Sequence, residues 1–365
     1  MVEPARFVVI GTGWRSEFML RIAAADPARL EVTAVVATSS ENADRISQRW
    51  GVMATTSLTD ALATGPDFVI SAVSWPAMPG MITELVSRGV KVLAETPPAP
   101  DLEGLRSLWA GLNTAGVGGS AAHNQVQVAE QYVLMPGHAA RLAVIDQGTL
   151  GVPQAVEVAS THLYHATSLM RAYLGVDMER AVVNGRSFDT KMTLPLTFDG
   201  WVDAPEVEVQ KTTYATVDFG DGRVGLYNFQ NMQWWNPLLA RRITVRGTLG
   251  EMVDDVVTRW TGQAPVTSRI EYRRTGVDMN LEGNEVVHAS FDGQVIWQNA
   301  WLNTRLSEDD IAVADHLLAT AAWARGEGPG PYSLASACQD HALGLAIEES
   351  ARSGRDIVVD QEPWA

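Results

Sequence analysis

Two histidines and a tyrosine, all able to move protons, lie close together at His162, Tyr164 and His165. Histidine titrates near neutral pH, so either imidazole could act as a general base or a general acid. The alternative is a structural histidine that only hydrogen-bonds to the backbone near a helix start. The His-x-x-His spacing also raises a metal site, but helical zinc pairs usually stand four residues apart and need further ligands. We therefore predict proton transfer here and no metal.

A glycine turn near the start of the sequence predicts a nucleotide cofactor for such chemistry. The apolar, β-branched run 7–10 favours a buried strand, and the residues after it, GTGWRS, include Ser16 in place of a third glycine. In a dinucleotide fold the first glycine makes the turn, the second admits the pyrophosphate, and a small third residue lets the helix pack closely. A sharp turn in an ordinary α/β protein is the alternative. We predict cofactor contacts from Gly11, Thr12, Gly13, Trp14 and Arg15.

The end of the next predicted strand, residues 30–37, bears on the choice of nucleotide. NAD-binding proteins usually place an acidic residue there against the ribose hydroxyls, whereas this chain has Thr38 and Ser39. Hydroxyl groups can donate hydrogen bonds to a 2′-phosphate and do not repel it. The sequence therefore favours NADP over NAD as the cofactor.

Two further strand ends predict contacts at the same edge of the sheet. The buried runs 67–73 and 90–94 each end in a loop, and open α/β sheets bind ligands outside the carboxyl ends of their strands. The side chains expected there are Ser74, Trp75, Glu95, Thr96 and Pro97.

Composition excludes several classes of protein. The formal net charge of −16 argues against nucleic acid as a partner, because phosphate binding needs a basic face. The single cysteine, Cys338, excludes an internal disulfide and a cysteine-rich metal site. No apolar run approaches the length of a membrane span, and no charged-then-apolar leader precedes the first strand. We expect a cytoplasmic protein that does not bind membranes.

The pattern along the chain predicts two domains. Strands and helices alternate up to about residue 115, and the glycine-rich stretch 116–119 reads as a connector. Long strands then dominate, among them 207–219, 222–230 and 269–274, and hairpin turns such as Asp221-Gly222 indicate an antiparallel sheet. We predict an α/β Rossmann domain over residues 1–124, followed over residues 125–365 by an α+β domain with a large, mostly antiparallel open sheet.

Several of these motifs, in this order, resemble the Gfo/Idh/MocA oxidoreductases, the group of glucose–fructose oxidoreductase and inositol dehydrogenase. They are Gly11-x-Gly13, the loop at Ser74, and Glu95-x-Pro97. The sequence GTLG at 247–250 is similar to the family's Gly-Thr-x-Gly turn. His165-x-x-Ser168, leading into RAYLG at 171–175, resembles its His-x-x-Asp helix, so that the resemblance runs nearly from end to end.

The resemblance implies NAD(P) at the junction of two domains, a sugar-like substrate, and homodimers or homotetramers built through the C-terminal sheet. It places Gln131 beside the nicotinamide and Tyr132 in the substrate pocket. Trp234 and Trp235 could provide a flat surface for a sugar ring, although core or subunit-interface roles are equally open to them.

The sequence departs from the family at its reactive residues. The family lysine is replaced by Thr96, the aspartate by Ser168, and the histidine often found one turn later by Ala172. Threonine has no pKa suited to taking the proton of a carbinol. His165 keeps a family histidine position, so we expect His165, with His162 and Tyr164, to replace the lysine. Lys191 and Lys211 could also face the cleft.

The predicted function is hydride transfer between NAD(P) and a carbinol of a sugar, a polyol or a related derivative. One alternative is a lyase or isomerase that oxidises its substrate transiently with tightly bound NAD(P). The other is a paralogue that binds nucleotide or sugar without turnover, as loss of the family's catalytic residues would permit.

Overall fold

The computed structural model describes residues 3–114, 121–277, 279 and 283–365. The predicted glycine-rich connector at 116–119 lies outside these described residues.

The first domain is a parallel six-stranded sheet in the order β3-β2-β1-β4-β5-β6. Chain order reverses between β1 and β4, which are hydrogen-bonded neighbours, and such a reversal opens a ligand crevice at the carboxyl ends of the strands. The strands are β1 Ala5–Ile10, β2 Leu30–Val36, β3 Ala54–Thr55, β4 Phe68–Ser71, β5 Val92–Ala94 and β6 Val126–Val128. The helices between them are α1 Trp14–Ala25, α2 Ser40–Trp50, α3 Leu58–Leu62, α4 Met78–Ser87 and α5 Leu102–Thr114.

The first sheet continues past the predicted division between residues 124 and 125. Strand β6 pairs in parallel with β5, with Val92 opposite Val126, because its apolar side chains complete the buried edge of the same sheet. A cut at residue 124 would therefore remove a strand from the sheet that it belongs to. As a boundary between independently folding units, the division stays a prediction.

The second domain is built on a nine-stranded sheet in the order β16-β15-β14-β13-β7-β12-β11-β8-β20. Every neighbouring pair is antiparallel except β7 with β12. Its strands are β7 Pro153–Ala159, β8 Ala181–Thr193, β11 Val207–Asp218, β12 Val224–Gln230, β13 Arg242–Gly247, β14 Gly250–Val253, β15 Val256–Trp260, β16 Pro265–Arg269 and β20 Ile357–Val359. The predicted fold class is confirmed by this topology.

The remaining elements lie around the large sheet. They are α6 Pro136–Asp146, α7 Leu163–Leu174, the hairpin β9 Leu196–Thr197 with β10 Gly200–Trp201, the three strands β17 Glu271–Thr275, β18 Glu285–Phe291 and β19 Gln294–Gln298, α8 Glu308–Ala324, and α9 Leu334–Ser353. The predicted strand 269–274 is wrong in its bounds: the chain leaves the large sheet after Arg269 and joins the three-stranded sheet at Glu271, with Ile270 buried between them.

Helices α7 and α9 cover one face of the large sheet. Strand β11 alternates accordingly, with Ala215 and Val217 buried toward the helices and Tyr214 and Thr216 exposed on the other side. An ion pair between Arg171 and Asp340, 2.6 Å long and almost completely buried, joins the two helices. This ion pair with α9 thus fixes the position of α7, which carries the predicted catalytic histidine.

Helix α8 returns from the second domain to pack on the first. Arg325 at its end makes a two-pronged ion pair with Asp67 at 2.6 and 3.0 Å, and Asp310 in its first turn pairs with Arg21 of α1 at 2.6 Å. Bidentate pairs of this kind fix orientation as well as distance. The start of α8 is therefore held at the carboxyl edge of the first sheet. Among the helices of the described residues, none is long and apolar enough to cross a membrane.

Candidate active site

The glycine turn between β1 and α1 is shaped to admit a phosphate group. Gly11 has φ of +120°, and a Cβ placed there would lie 2.4 Å from the carbonyl oxygen of Ala72, so only glycine fits. Gly13 starts α1 with extended backbone, and a Cβ there would meet no atom within 4 Å. Open space in front of a helix N-terminus is where a pyrophosphate binds. The turn therefore fits a dinucleotide on its own geometry.

Ser16 holds the third position of the turn as predicted for a small residue. It is completely buried, and a Cβ on Gly11 would stand 3.1 Å from its hydroxyl oxygen. A larger side chain would push α1 away from the strand. Trp14 beside it is 73% exposed, so its ring is available to a ligand rather than part of the core.

Arg15 ties together three elements at the sheet edge. Its guanidinium forms a 2.7 Å ion pair with Glu95, which follows β5, and lies 3.4 Å from the side-chain oxygen of Gln131, which follows β6. Gln131 in turn donates to Asp309 of α8 at 3.1 Å. The predicted cofactor residues Arg15, Glu95 and Gln131 are thus brought together, in a network that sets the spacing of the strand ends.

A short, buried contact between Glu130 and His165 joins the two domains. Glu130 follows β6 of the first sheet, His165 lies in the first turn of α7, and the carboxylate oxygen Oε2 is 2.5 Å from the imidazole Nδ1. Both side chains are buried, and the other carboxylate oxygen accepts the backbone N–H of Tyr132 at 3.1 Å. We call this pair the Glu130–His165 dyad.

Burial sets the protonation of the dyad. It raises the pKa of Glu130 to about 8 and lowers the pKa of His165 to about 3. At neutral pH the carboxyl group therefore keeps its proton and donates it to Nδ1, while the imidazole carries its own proton on Nε2. Loss of one proton near pH 8 leaves Nδ1–H bonded to a carboxylate and converts Nε2 into an acceptor. The dyad can therefore act as an acid below this pH and as a base above it.

Charged groups from four elements face the dyad. Arg15 of α1 lowers the pKa of both members; Asp309 of α8 raises the pKa of both. The pKa of His165 is also raised by Glu95 after β5 and by Asp340 of α9. The three acidic groups raise the pKa of the imidazole, but burial lowers it by more than they raise it.

Three aromatic rings enclose His165. The ring of Tyr132 lies 4.5 Å from that of His165, Tyr164 lies at 4.4 Å, and His162 meets it edge-on at 5.2 Å. Burial lowers the pKa of His162 to about 4, so this ring is neutral at neutral pH. The structure therefore brings together the three predicted catalytic residues, with His165 at their centre and Glu130 as its partner.

Thr96 stands at the position that resembles the family lysine, and its side chain contacts a second hydroxyl, that of Tyr164. Burial raises the pKa of that phenol, which keeps it a hydrogen-bond donor. Thr96, Pro97, Glu130 and Tyr164 line one small internal cavity. The Thr96–Pro97 peptide bond is cis.

The other substituted positions and the lysines supply no base. The hydroxyl of Ser168 is buried and has no partner among the described residues, and Ala172 has no polar side chain. Lys191 and Lys211 are exposed on β8 and β11 and do not line the cleft, and Lys91 lies over the ring of Trp323. The expectation that Lys191 or Lys211 faces the cleft receives no support.

The end of β2 bears hydroxyl groups as predicted. Thr38 is exposed, and the Ser39 hydroxyl caps α2 by accepting the backbone N–H of Asn42 at 3.3 Å. Arg45 of α2 reaches back to donate to the Thr12 carbonyl at 2.9 Å and pairs with Glu17 at 2.5 Å. Sequence reasoning missed Arg45, because one and a half helical turns separate it from Ser39 along the chain.

A cleft of about 450 Å³ reaches the residues around the dyad, but neither Glu130 nor His165 lines it. It is lined by Tyr132, whose ring lies against that of His165 at an angle of 31°, and by Trp234. Trp235 is not part of this lining: its ring stacks on Phe198 at 5.2 Å and its indole N–H donates to the Leu196 carbonyl at 3.1 Å. Of the two predicted tryptophans, the structure thus places Trp234 in the cleft and Trp235 on the β9–β10 hairpin.

The other predicted side chains lie outside this cleft. Ser74 and Trp75 are exposed at the end of β4, on the loop that precedes α4, where a ligand at the sheet edge can reach them. No group of three or more histidine, cysteine or acidic side chains among the described residues is arranged to hold a metal ion.

Besides Arg45, three further residues of the site were given no role from the sequence. Glu130 could have been found as an acid directly after a buried strand, and Asp309 as part of the acidic start of α8. Arg241 gave no signal, because it lies in a loop just before β13 and only the fold brings it to the cleft.

Comparisons with known proteins agree with this geometry. Residues 5–123 match the Gfo/Idh/MocA family, described as an oxidoreductase family with an NAD-binding Rossmann fold. The match contains the glycine turn, the ends of β2, β4 and β5, and Glu95-x-Pro97. Comparison with curated protein sequences gives no match.

Solved structures share the fold over nearly the whole chain. An oxidoreductase from Agrobacterium radiobacter, in complex with NAD+, L-tartaric acid and magnesium, is 15% identical, with 98% of each chain covered and a TM-score of 0.67. A myo-inositol dehydrogenase from Corynebacterium glutamicum is 16% identical, with 98% of this chain and 99% of that chain covered and a TM-score of 0.64. The WlbA dehydrogenase from Bordetella pertussis, in complex with NADH and UDP-GlcNAcA, is 18% identical, with 98% of each chain covered and a TM-score of 0.61. At these identities the likeness is one of fold.

Alanine variants of the two glycines of the turn should distinguish an effect on nucleotide binding from an effect on stability. Gly13→Ala should leave the melting temperature unchanged but weaken nucleotide binding by about tenfold or more, because the methyl group stands where the pyrophosphate approaches. Gly11→Ala should lower both, since its Cβ overlaps the Ala72 carbonyl. Calorimetric titration and thermal melting measure the two effects, with Gly111→Ala in α5 as control. Equal nucleotide affinity in Gly13→Ala and the parent protein would contradict this assignment.

Proposed function

We propose that the chain belongs to the Gfo/Idh/MocA oxidoreductase family, whose model its residues 5–123 match, and that it transfers hydride between NAD(P) and a carbinol of a sugar, a polyol or a related derivative. The observation that carries the proposal is the buried Glu130–His165 dyad, which offers a proton acceptor one ring away, through Tyr132, from a ligand-sized cleft. Groups with strongly shifted pKa values cluster at functional sites, and this favours turnover over a role in binding alone.

The chain's own residues would divide the work as follows. The turn at Gly11 and Gly13 and the N-terminus of α1 hold the pyrophosphate, and Arg15, Glu95 and Gln131 fix the edge of the sheet beside it. The bound nucleotide supplies a hydride acceptor or donor. Nε2 of His165 takes the proton of the substrate hydroxyl during oxidation and returns it during reduction. The Tyr164 hydroxyl, held by Thr96, donates a hydrogen bond to the same oxygen.

The cleft suits a sugar-sized substrate. Its volume of about 450 Å³ is within the range of small-molecule sites, and Tyr132 and Trp234 give it aromatic walls among polar side chains. The solved WlbA dehydrogenase is described with a nucleotide sugar and the Corynebacterium protein as a myo-inositol dehydrogenase. These descriptions support a sugar or polyol as the substrate class here.

The dyad gives the reaction a definite pH dependence. Oxidation needs the deprotonated dyad, so kcat/KM for oxidation should rise with pH and level off above about 8, where Glu130–His165 has lost its proton. Reduction needs the protonated dyad and should fall over the same range. Absorbance of the reduced nucleotide, followed over a panel of sugars and polyols, measures both directions.

Variants of the dyad separate catalysis from binding. His165→Ala should lower kcat by about 100-fold, the usual size of a general-base contribution, while leaving nucleotide affinity unchanged. Glu130→Gln keeps a hydrogen bond to Nδ1 but cannot titrate, so the transition near pH 8 should disappear. His288→Ala on β18 is the control. Full activity of His165→Ala, or an unchanged pH profile in Glu130→Gln, would contradict the proposal.

We propose NADP as the preferred nucleotide. The hydroxyls of Thr38 and Ser39 stand where NAD-binding proteins usually have an acid, and Arg45 of α2 lies at the neighbouring glycine turn, where it donates to the Thr12 carbonyl and pairs with Glu17. No acidic side chain follows β2 within the cap of α2 before Glu41.

A change of one side chain tests this preference. Ser39→Asp should weaken NADPH binding at least about tenfold, or about 1.4 kcal/mol, by repelling the 2′-phosphate. NADH binding should stay the same or improve. Ser39→Asn is the matched control, because asparagine and aspartate both cap helices as well as serine. Tighter binding of NADH than NADPH by the parent protein would show the preference to be wrong.

We further propose that copies of the chain associate through the uncovered face of the large sheet. This outer face is opposite α7 and α9 and exposes five apolar or aromatic side chains, Phe188, Tyr214, Leu226, Val253 and Trp260. Exposed apolar patches of this kind mark interaction surfaces.

The mass in solution tests the association. The parent protein should scatter light as a dimer or tetramer, and Leu226→Lys, which puts a charge in the middle of the outer face, should shift it toward the monomer. Met53→Lys, at a similarly exposed position in the first domain, should have no effect. A monomeric parent protein would refute the proposal.

A further inference from the structure

Three arginines line the cleft, and only two of them have an acidic partner. Arg141 pairs with Asp255 at 2.9 Å, and Arg274 pairs with Glu308 at 2.8 Å. Arg241 makes no ion pair or hydrogen bond with any residue that the structure describes. One guanidinium in the cleft thus has no acidic partner.

Asp309, the remaining acidic side chain of the cleft, forms no ion pair with Arg241. Asp309 accepts a hydrogen bond from Gln131, and its charge acts on Arg15 behind the cleft wall. Arg15 also pairs directly with Glu95. The negative charges around the cleft are therefore committed to other cations, and Arg241 remains available to a ligand.

Arg241 lies beside the groups that would hold the rest of a substrate. Its charge acts on both Tyr132 and His138, which line the cleft with it. The ring of Tyr132 in turn lies 4.5 Å from that of His165 in the dyad. A ligand that spans the cleft can thus place one end at Arg241 and the other near the dyad.

A second side chain in the cleft lacks a partner. Ser160, at the end of β7, is buried, and its hydroxyl has no hydrogen-bond partner among the described residues. Buried polar groups in folded proteins are almost always satisfied, so such a hydroxyl in a cleft wall indicates a ligand or an ordered water. Trp234, 39% exposed in the same cleft, offers a flat surface for a ring.

We infer that the substrate is an anionic sugar derivative whose acid group is bound by Arg241, with its ring on Trp234 and a hydroxyl at Ser160. Guanidinium binds carboxylate and phosphate alike through paired N–H donors, so both a sugar acid and a sugar phosphate carry the required chemistry. This inference rests on the proposed function for the identity of the reacting centre, but the binding of an anion at Arg241 does not depend on turnover.

Binding to matched sugars tests the inference. The probes are D-gluconate, D-galacturonate and D-glucose 6-phosphate, each compared with its neutral parent, and titration calorimetry is done in the presence of NADPH so that no oxidation occurs. We expect at least one anionic probe to bind on the order of tenfold more tightly than its parent. Preference for the acids or for the phosphate identifies the anion.

Two neighbouring arginines provide the variants. Arg241→Gln should abolish the preference for the anionic probe, whereas Arg242→Gln, the same change one residue later at an exposed position, should preserve it. Thermal melting of both variants shows that each is folded. Equal affinity for anionic and neutral probes, no binding of any anionic probe at tens of millimolar, or an unchanged preference in Arg241→Gln would overturn the inference.

The two proposals fail in different ways. Nucleotide reduction with neutral sugars alone would overturn the anionic substrate and leave the dehydrogenase intact. Anion binding that depends on Arg241, without nucleotide reduction by any sugar acid or sugar phosphate, would keep the subsite and remove the dehydrogenase.

Discussion

The buried contact between Glu130 and His165 is the constraint on which the site depends. A carboxyl group and an imidazole that are both removed from water must share protons with each other, because neither can be solvated. Glu130 is fixed to the first sheet through β6 and His165 to the second domain through α7, which the buried Arg171–Asp340 pair anchors on α9. The same 2.5 Å contact that joins the domains therefore also sets the protonation of the proposed proton acceptor.

On the proposed function, this arrangement accounts for Thr96, Ser168 and Ala172 at the positions that resemble the family's lysine, aspartate and histidine. Thr96 cannot take up a proton, yet it lies against the Tyr164 hydroxyl, and Tyr164 packs on His165. Arg15 supplies the positive charge that a lysine would bring, and it lowers the pKa of both Glu130 and His165. In the proposed reaction, proton transfer therefore falls to a rigid pair whose protonation is set by burial.

The sequence predicted what depends on local pattern. The strand–turn–helix at Gly11, the strand ends at Thr38, Ser74 and Glu95, and the change to long antiparallel strands all follow from periodicity and glycine placement. Contacts between residues far apart along the chain could not be predicted from the sequence. Glu130 and His165 lie in different domains, and their pairing exists only once both sheets are placed. Trp234 and Trp235 are neighbours with the same chemistry, and only the β9–β10 hairpin separates their roles by giving Trp235 a partner in Phe198.

The most direct test of the account is a crystal structure with the oxidised nucleotide and a bound substrate or inhibitor. The account predicts His165 Nε2 or the Tyr164 hydroxyl within hydrogen-bonding distance, about 3 Å, of the substrate hydroxyl beside nicotinamide C4. Only solvent at that position, with the Glu130–His165 dyad turned away from the nicotinamide, would contradict it.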